Sequence, residues 1–233
     1  MQALRSIIFT LIYNISSVIA GGLAVIIWPF LPYSYRWRLV TLWNAFVIWL
    51  IGIVCGVKFI IHGKKPTLNT PYVVLAKHQS TWETIFLQRY FGPVSTILKK
   101  ELLRIPFFGW GLASMRPIAI DRSSPVQALK DVKIKGLERL KQGNNLLIFP
   151  EGTRTAHGTV GNYARSGADI AITAQVPVVA VAHDAGKYWP HKQYLKTPGI
   201  INVWISEPIS TQGRERKELT EEVKQWIESK LGE

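Results

Sequence analysis

Hydrophobic positions along this chain follow two patterns, and the change from one to the other lies near residue 63. Before it there are two long apolar runs, roughly residues 6–31 and 39–61. Each run is close to the ~20 residues that a helix needs to cross a hydrocarbon core. Beyond residue 63, short apolar runs alternate with helical patterns. We therefore predict a hydrophobic two-helix membrane anchor over residues 1–63, followed by a folded domain over residues 64–233.

The segment that joins the two apolar runs indicates a helical hairpin at a membrane surface. Pro29 and Pro32 interrupt a helix, and the Tyr, Trp and Arg side chains of residues 33–38 suit the headgroup layer. Positive charge occurs at every polar end, so it does not decide the orientation of the hairpin. Asn14 and Asn44 within the runs are compatible with insertion into one leaflet. The sequence therefore leaves open whether the helices span the bilayer or enter one leaflet.

The pattern of the second part predicts alternating strands and helices. The predicted strands are residues 72–76, 94–98, 117–120, 146–149, 178–182 and 201–205. The predicted helices are residues 81–90, 125–142, 167–175 and 214–231. Alternation of this kind is typical of parallel strands connected through helices. We predict an α/β fold with a mixed, largely parallel sheet flanked by helices.

The charge of the chain indicates an anionic partner. The formal net charge is +13, and no Asp or Glu occurs before Glu83. Nucleic acid and an acidic membrane surface are both candidates for such a charge. No zinc-finger spacing or other nucleic-acid-binding motif accompanies it, whereas basic residues beside apolar anchors add membrane affinity. We therefore predict membrane lipids, and no nucleic acid, as partners.

Cysteine and histidine usage argues against a metal site. The single cysteine, Cys55, lies in the second apolar run, so the chain can form no internal disulfide. His157, His183 and His191 lack the spacing of metal ligands. We predict neither a metal nor another cofactor.

The first candidate for chemistry is the segment HQSTWE, residues 78–83. A predicted strand ends just before His78, and reactive groups in α/β sheets lie at the carboxyl ends of strands. Glu83, on the first turn of the following helix, could accept a hydrogen bond from the imidazole and fix its tautomer. Ser80 and Glu83 also have the spacing of a capping box, which explains the carboxylate by helix capping alone. Both interpretations can hold together.

The second candidate is FPEGTR, residues 149–154, directly after another predicted strand. Gly152 permits a sharp turn whose amides can approach an anion, and Arg154 offers a planar fork that suits phosphate. Arg122 follows a third strand, and Arg165 precedes a helix. Each arginine alone is compatible with a solvated surface. Together they predict a phosphate-binding site, because anions bind at strand exits and helix starts.

Four segments in this order resemble the glycerolipid acyltransferase family. HQSTWE is similar to its His-x4-Asp/Glu motif, and residues 119–122, 149–154 and 176–182 are similar to its second, third and fourth blocks. The likeness extends over about residues 64–189. Three departures are visible: Glu83 stands where Asp is commoner, Ala180 where a proline is common, and Arg165 where Lys is frequent.

The resemblance implies that residues 64–233 form an acyltransferase catalytic domain. His78 would act as general base on the sn-2 hydroxyl of lysophosphatidic acid, with Glu83 orienting the imidazole. The hydroxyl would attack the thioester of acyl-CoA or acyl carrier protein, which gives phosphatidic acid without an enzyme nucleophile. The residues expected to hold the substrate phosphate are Arg122, Glu151, Gly152, Thr153, Arg154 and Arg165. The expected location is the cytoplasmic (inner) membrane, with the catalytic domain on its cytosolic face.

Several alternatives use the same residues. The acyl acceptor could be glycerol 3-phosphate, another lysophospholipid or an acylated amino acid, because the base and the thioester chemistry are unchanged. Water in place of the hydroxyl would make the protein a thioesterase. A membrane lipid-binding protein without turnover would need the phosphate site alone.

Overall fold

A computed structural model describes residues 1–232. The helices are α1 Gln2–Ile27, α2 Tyr33–Cys55, α3 Trp82–Tyr90, α4 Phe108–Ala113, α5 Pro125–Lys141, α6 Ser166–Ala174 and α7 Arg216–Ser229. The strands are β1 Val57–His62, β2 Val73–Ala76, β3 Val94–Lys99, β4 Ile118–Ile120, β5 Asn145–Ile148, β6 Val178–His183 and β7 Gly199–Ile205. The strands and helices predicted beyond residue 64 are confirmed to within about two residues at each end.

The strands form one seven-stranded sheet in the order β1-β7-β6-β2-β5-β3-β4. Neighbouring strands are parallel everywhere except between β6 and β7. Helices α3, α5 and α6 each lie between two parallel strands in the chain, as parallel connections require. The predicted fold class, a mixed and largely parallel sheet flanked by helices, is confirmed.

Two hydrophobic cores cover the two faces of this sheet. Because successive side chains of a strand point to opposite faces, Val74 and Val179 pack with α1, α2 and α3. Their neighbours Val73 and Val178 pack on the other face, with α5, α6 and α7. The central strands are buried on both sides, which explains why their sequences are apolar without alternation.

The second apolar run contains both a helix and a strand, which corrects one prediction. Helix α2 ends at Cys55, because Gly56 adopts the left-handed conformation with φ +73° and its amide donates to the Gly52 carbonyl. Residues 57–62 then form β1, which pairs with β7. The sheet thus begins inside the 1–63 range expected for the anchor. Hydrophobicity alone does not separate a buried helix from a strand within one apolar run.

The two N-terminal helices lie against the folded domain along their length. In α1, Ser6 Oγ accepts a hydrogen bond from the Lys196 amide at 3.0 Å, and Gly21 contacts Phe107 near the other end. In α2, Asn44 Nδ2 donates to the Ile85 carbonyl of α3 at 3.0 Å. Both helices are long and apolar enough to cross a membrane, by length and composition. Their outward faces are exposed and apolar, which indicates membrane association.

Candidate active site

The segment that follows β2 has its backbone held by hydrogen bonds from neighbouring loops. The His78 amide donates to Glu151 Oε2 at 2.9 Å, and the His78 carbonyl accepts from the Thr155 amide at 2.8 Å. The Ser80 carbonyl accepts from Arg154 Nε at 3.0 Å. The FPEGTR turn therefore supports the backbone that carries His78, which is the arrangement that fixes a reactive side chain.

The His78 imidazole is oriented by two contacts. Its Nδ1 lies 2.9 Å from Glu83 Oε1, and its ring stacks on Phe149 with centroids 4.1 Å apart. Glu83 is fully buried, whereas the His78 side chain keeps 14% of its surface exposed. With Nδ1–H donated to the carboxylate, Nε2 is left as the basic nitrogen. The two residues predicted to form a dyad are thus within hydrogen-bond distance.

The same carboxylate oxygen also accepts hydrogen bonds from two backbone amides. Glu83 Oε1 lies 2.9 Å from the Ser80 amide and 3.1 Å from the Gln79 amide. Helix α3 begins at Trp82, whose amide donates to Ser80 Oγ at 3.1 Å. The capping interpretation and the orienting interpretation therefore describe one arrangement. The Glu side chain is one methylene longer than Asp, and its carboxylate contacts both His78 and the two amides that precede the helix.

Electrostatics keep Glu83 ionised. Burial acts to raise the pKa of Glu83, but nearby His183 and the hydrogen bonds from His78 and the Ser80 amide outweigh it, so the pKa lies below its ordinary value. Burial lowers the pKa of His183, whose Nε2 lies 2.8 Å from the Lys77 carbonyl. The hydrogen bond between His183 and the Lys77 carbonyl holds the end of β6 beside the end of β2.

Sequence reasoning missed a buried charge cluster next to His78. Lys77 is fully buried, and its Nζ lies 2.9 Å from Glu151 Oε1 and 2.7 Å from Glu228 Oε1 of α7. Nζ also donates to the Thr159 carbonyl at 2.9 Å, and Tyr163 donates to Glu228 at 2.8 Å. A lysine at the end of an apolar strand is the sequence signal for such a cluster, because buried charges need partners.

A cavity of about 520 Å³ opens beside His78. Its walls come from α1, α2, α3, β3 and α4, and they are mainly apolar. Tyr13 and Ala20 belong to α1, Trp43 to α2, and Phe108 and Leu112 to α4. The N-terminal helices therefore form part of the cavity wall. The volume and apolar lining suit the acyl chain of a lipid substrate.

The polar end of the cavity holds His78 together with Arg122, Thr153 and Arg154. These three residues come from the loop after β4 and the turn after β5, which the sheet brings to the same edge. Arg154 Nη1 also lies 3.2 Å from Nδ1 of His191, another lining residue that the motifs did not indicate. A cavity with a base, two guanidinium groups and an apolar wall can bind a phosphorylated lipid and activate its hydroxyl.

The other three residues predicted to bind phosphate have different positions. The Glu151 carboxylate is buried and paired with Lys77, so it faces the protein interior and cannot contact an entering phosphate directly. Gly152 forms the turn, with φ +68° and its amide donating to the Phe149 carbonyl. Arg165 is exposed and, within residues 1–232, is not part of the cavity lining. Local spacing does not show on which side of a turn a side chain lies.

Comparison with known proteins places the chain in a family. The model of a family described as "Acyltransferase" matches residues 58–184. A 1-acyl-sn-glycerol-3-phosphate acyltransferase from Pseudomonas aeruginosa is 43% identical over 237 residues, which cover 100% of this chain and 92% of that protein. The chain belongs to the acyltransferase family. The membership predicted from the motifs is therefore confirmed.

Two further relatives of this acyltransferase extend the comparison. A protein of the same name from Saccharomyces cerevisiae is 31% identical over 177 residues, 74% of this chain and 58% of that protein. The crystal structure of the 1-acyl-sn-glycerophosphate acyltransferase PlsC from Thermotoga maritima superposes with a TM-score of 0.81. It covers 99% of this chain and 95% of that one at 22% sequence identity, so it shows a shared fold that includes the two N-terminal helices.

Proposed function

We propose that this acyltransferase transfers a fatty acyl group to the sn-2 hydroxyl of 1-acyl-sn-glycerol 3-phosphate and so makes phosphatidic acid for phospholipid biosynthesis. The observation that carries the proposal is the 2.9 Å contact of His78 and Glu83 at the edge of an apolar cavity with two arginines. The name of the Pseudomonas relative, which aligns along the whole chain, supports this acceptor.

The reaction follows from the orientation of His78. Nε2 takes the proton of the sn-2 hydroxyl while Glu83 stabilises the imidazolium that forms. The hydroxyl oxygen bonds to the thioester carbonyl carbon, and the tetrahedral intermediate collapses with loss of the carbon–sulfur bond. The imidazolium then returns its proton to the leaving thiolate. No covalent acyl-enzyme is needed, because a thioester is already reactive toward an activated hydroxyl.

The phosphate of the acceptor is held by Arg122 and Arg154, with the Thr153 hydroxyl as a further donor, while Gly152 shapes the turn that presents them. Guanidinium groups bind phosphate through parallel hydrogen bonds. Glu151 acts as a positioning residue, since its carboxylate joins the His78 amide to Lys77. Arg165 is at most an outer contributor, because it lies outside the cavity lining.

The N-terminal helices attach the enzyme to one leaflet. Contacts at Ser6 and Gly21 hold both ends of α1 to the domain, and Asn44 holds the middle of α2. A 26-residue helix is about 39 Å long. A spanning orientation would therefore draw the polar domain into the bilayer, where unpaired polar groups are costly. We place the enzyme on the cytosolic face of the inner membrane, where acyl-CoA or acyl carrier protein reaches the cavity.

The test supplies detergent-solubilised protein with labelled lysophosphatidate and, in separate reactions, acyl-CoA or acylated acyl carrier protein. Phosphatidate formation is expected for wild type and is expected to fall by roughly 10²–10⁴-fold in His78→Ala and Glu83→Gln. The matched control is His62→Ala, since His62 is an exposed histidine on β1 at the edge of the sheet. The control is expected to keep wild-type turnover.

Other outcomes distinguish the alternatives. Near-full turnover by His78→Ala would refute the base assignment. Release of free fatty acid alone would identify a thioesterase, and acylation of glycerol 3-phosphate in preference to lysophosphatidate would change the acceptor. Binding of lysophosphatidate without any product would indicate a lipid-binding protein.

A further inference from the structure

A short segment between β3 and the end of α4 exposes four large apolar side chains. Leu102, Ile105, Phe107 and Trp110 are each between 37% and 44% exposed. The rings of Phe107 and Trp110 lie 5.2 Å apart, so the aromatic surface is continuous. We call residues 102–110 the α4 ridge. Contiguous exposed apolar side chains of this size mark an interaction surface.

The α4 ridge is continuous with the exposed face of α1. A Cβ atom at Gly21 would lie only 2.3 Å from the Phe107 carbonyl oxygen, so the two backbones are in direct contact. A Cβ atom at Gly22 would lie 3.5 Å from the Phe107 ring, which therefore stands beside the outer part of α1. Gly111 of α4 packs on Gly21 as well. The ridge thus extends the apolar surface of the anchor onto the catalytic domain.

The backbone of the ridge adopts an unfavourable conformation at one residue. Phe107 has φ +60°, in a region that bulky residues rarely occupy. Such a conformation costs stability and persists where the surrounding structure holds it. The Phe107 ring that this backbone presents is 41% exposed, so burial in the core contributes little to its stability. A ligand outside the domain would explain why an aromatic residue occupies this position.

Basic residues border the ridge. Arg104 is exposed within it, and Lys99 and Lys100 precede it. Lys99 lies 4.0 Å from Glu101, and Lys100 pairs with Asp121, all on the exposed surface. Aromatic and basic side chains around an apolar patch are the composition of segments that lie at the headgroup layer of a membrane.

The ridge also forms part of the cavity wall. Leu102 and Lys99 belong to the cavity lining, as do Phe108 and Leu112 on the inner side of α4. One side of this segment therefore contacts the substrate space while the other is exposed. An attached bilayer that reached the ridge would lie next to the cavity that takes the lipid substrate.

We propose that the α4 ridge is a third membrane-contacting element, which enters the same leaflet as α1 and brings the cavity to the lipid interface. The occupant is the bilayer, because the ridge continues the apolar face of α1 and Arg104, exposed within it, adds a positive charge that anionic lipid attracts. This inference rests on the one-leaflet attachment in the proposed function, and it adds a contact made by the catalytic domain itself.

The test uses environment-sensitive fluorophores attached to single cysteines. In a Cys55→Ala background, a cysteine replaces Ile105 or Trp110 on the ridge. Leu11, which is 57% exposed on α1, is the position for the anchor, and Val126, which is 83% exposed on α5 across the sheet, is the matched apolar control. The labelled proteins are bound to vesicles of phosphatidylethanolamine and phosphatidylglycerol with and without spin-labelled acyl chains.

The expected result is a blue-shifted emission and strong quenching at positions 105, 110 and 11, with neither effect at position 126. Two positions on the ridge are labelled, so the result does not depend on a single substitution. Neither position is residue 107, whose backbone is strained. Quenching at position 11 with water-like emission at positions 105 and 110 would overturn the ridge inference and leave the attachment through α1 intact. Water-like emission at all four positions would refute the membrane attachment itself, and the ridge inference with it.

Discussion

The base side and the phosphate side of the proposed active site are built differently. His78 and Glu83 lie in a hydrogen-bonded interior, where one carboxylate oxygen serves the imidazole and two backbone amides. Arg122 and Thr153, on the phosphate side, are exposed loop residues at the cavity edge. The base side is therefore preorganised, and the phosphate side is open.

This difference follows from the two tasks. A general base must stand within hydrogen-bond distance of its proton in a fixed direction, and a misplacement of 1 Å can cost about 10²-fold in rate. A phosphate site must admit a charged headgroup from outside, so its arginines need to remain accessible to solvent. Arg154 belongs to both sides, since its Nε donates to the Ser80 carbonyl while its side chain lines the cavity.

The largest effect is expected from changes at Glu83 that break the base side. Glu83→Gln removes the charge that stabilises the imidazolium, and we expect kcat to fall by roughly 10²–10⁴-fold. Glu83→Asp keeps the charge but shortens the reach to Nδ1, so an intermediate loss of about 10–10²-fold is expected. Steady-state kinetics with lysophosphatidate measure both. Equal losses in the two variants would show that reach, and not charge, dominates.

The next effect concerns the stability of the base side. Lys77→Met leaves the buried Glu151 carboxylate without its partner, and we expect the free energy of unfolding to fall by about 3–5 kcal/mol. Lys135→Met removes an exposed pair with Asp131 on the surface of α5, and this variant is expected to unfold with nearly the wild-type free energy. Denaturation in detergent, followed by circular dichroism, compares the two. Similar losses would contradict the importance assigned to the buried cluster.

Smaller changes are expected on the open side. Arg122→Ala removes the charged hydrogen bond that we propose to phosphate, worth about 1.5–3 kcal/mol, so KM for lysophosphatidate should rise about 10–10²-fold with kcat nearly unchanged. Arg154→Ala should raise KM and lower kcat, because Arg154 also holds Ser80. Arg165→Ala, outside the cavity lining, should change neither. A rise in KM for Arg165→Ala as large as that for Arg122→Ala would return Arg165 to the phosphate site.

The smallest expected effect is a pH dependence that arises from His183. Its pKa lies below the ordinary value of 6.5 because the ring is buried, so the unfolded chain takes up its proton at higher pH than the folded protein. Stability should therefore fall as pH drops below about 6.5, by at most ~1.4 kcal/mol per pH unit. His183→Gln lacks this titration and can still donate to the Lys77 carbonyl. Thermal midpoints of wild type and variant should converge as the pH is lowered, and a constant difference would contradict the assignment.

Local features of the sequence predicted much of this protein. The apolar runs gave six of the seven strands, because a strand buried on both faces is apolar over its whole length. HQSTWE predicted the contact between His78 and Glu83, since five residues across a strand exit and a helix start leave little freedom. The one missed strand, β1, continues the apolar run of α2, and only its pairing with β7 distinguishes it from the helix.

The site required more than local spacing. Arg122 and Arg154 are separated in the sequence by a helix and a strand. The parallel sheet brings the loops that carry them to the same edge, beside one cavity. The inward direction of Glu151 and the distance of Arg165 from the cavity could not be predicted, because a turn can present successive side chains to either side.

The sequence by itself determined the family, six of the seven strands, the long helices and the proximity of His78 to Glu83, because each depends on neighbours within a few residues. The tertiary structure decided how Lys77 meets Glu228, 151 residues away, and how α1 forms a cavity wall. It also decided that the anchor lies along the domain. Contacts of this kind arise when distant segments bury shared surface, and hydrophobic periodicity shows which face is buried without showing what covers it.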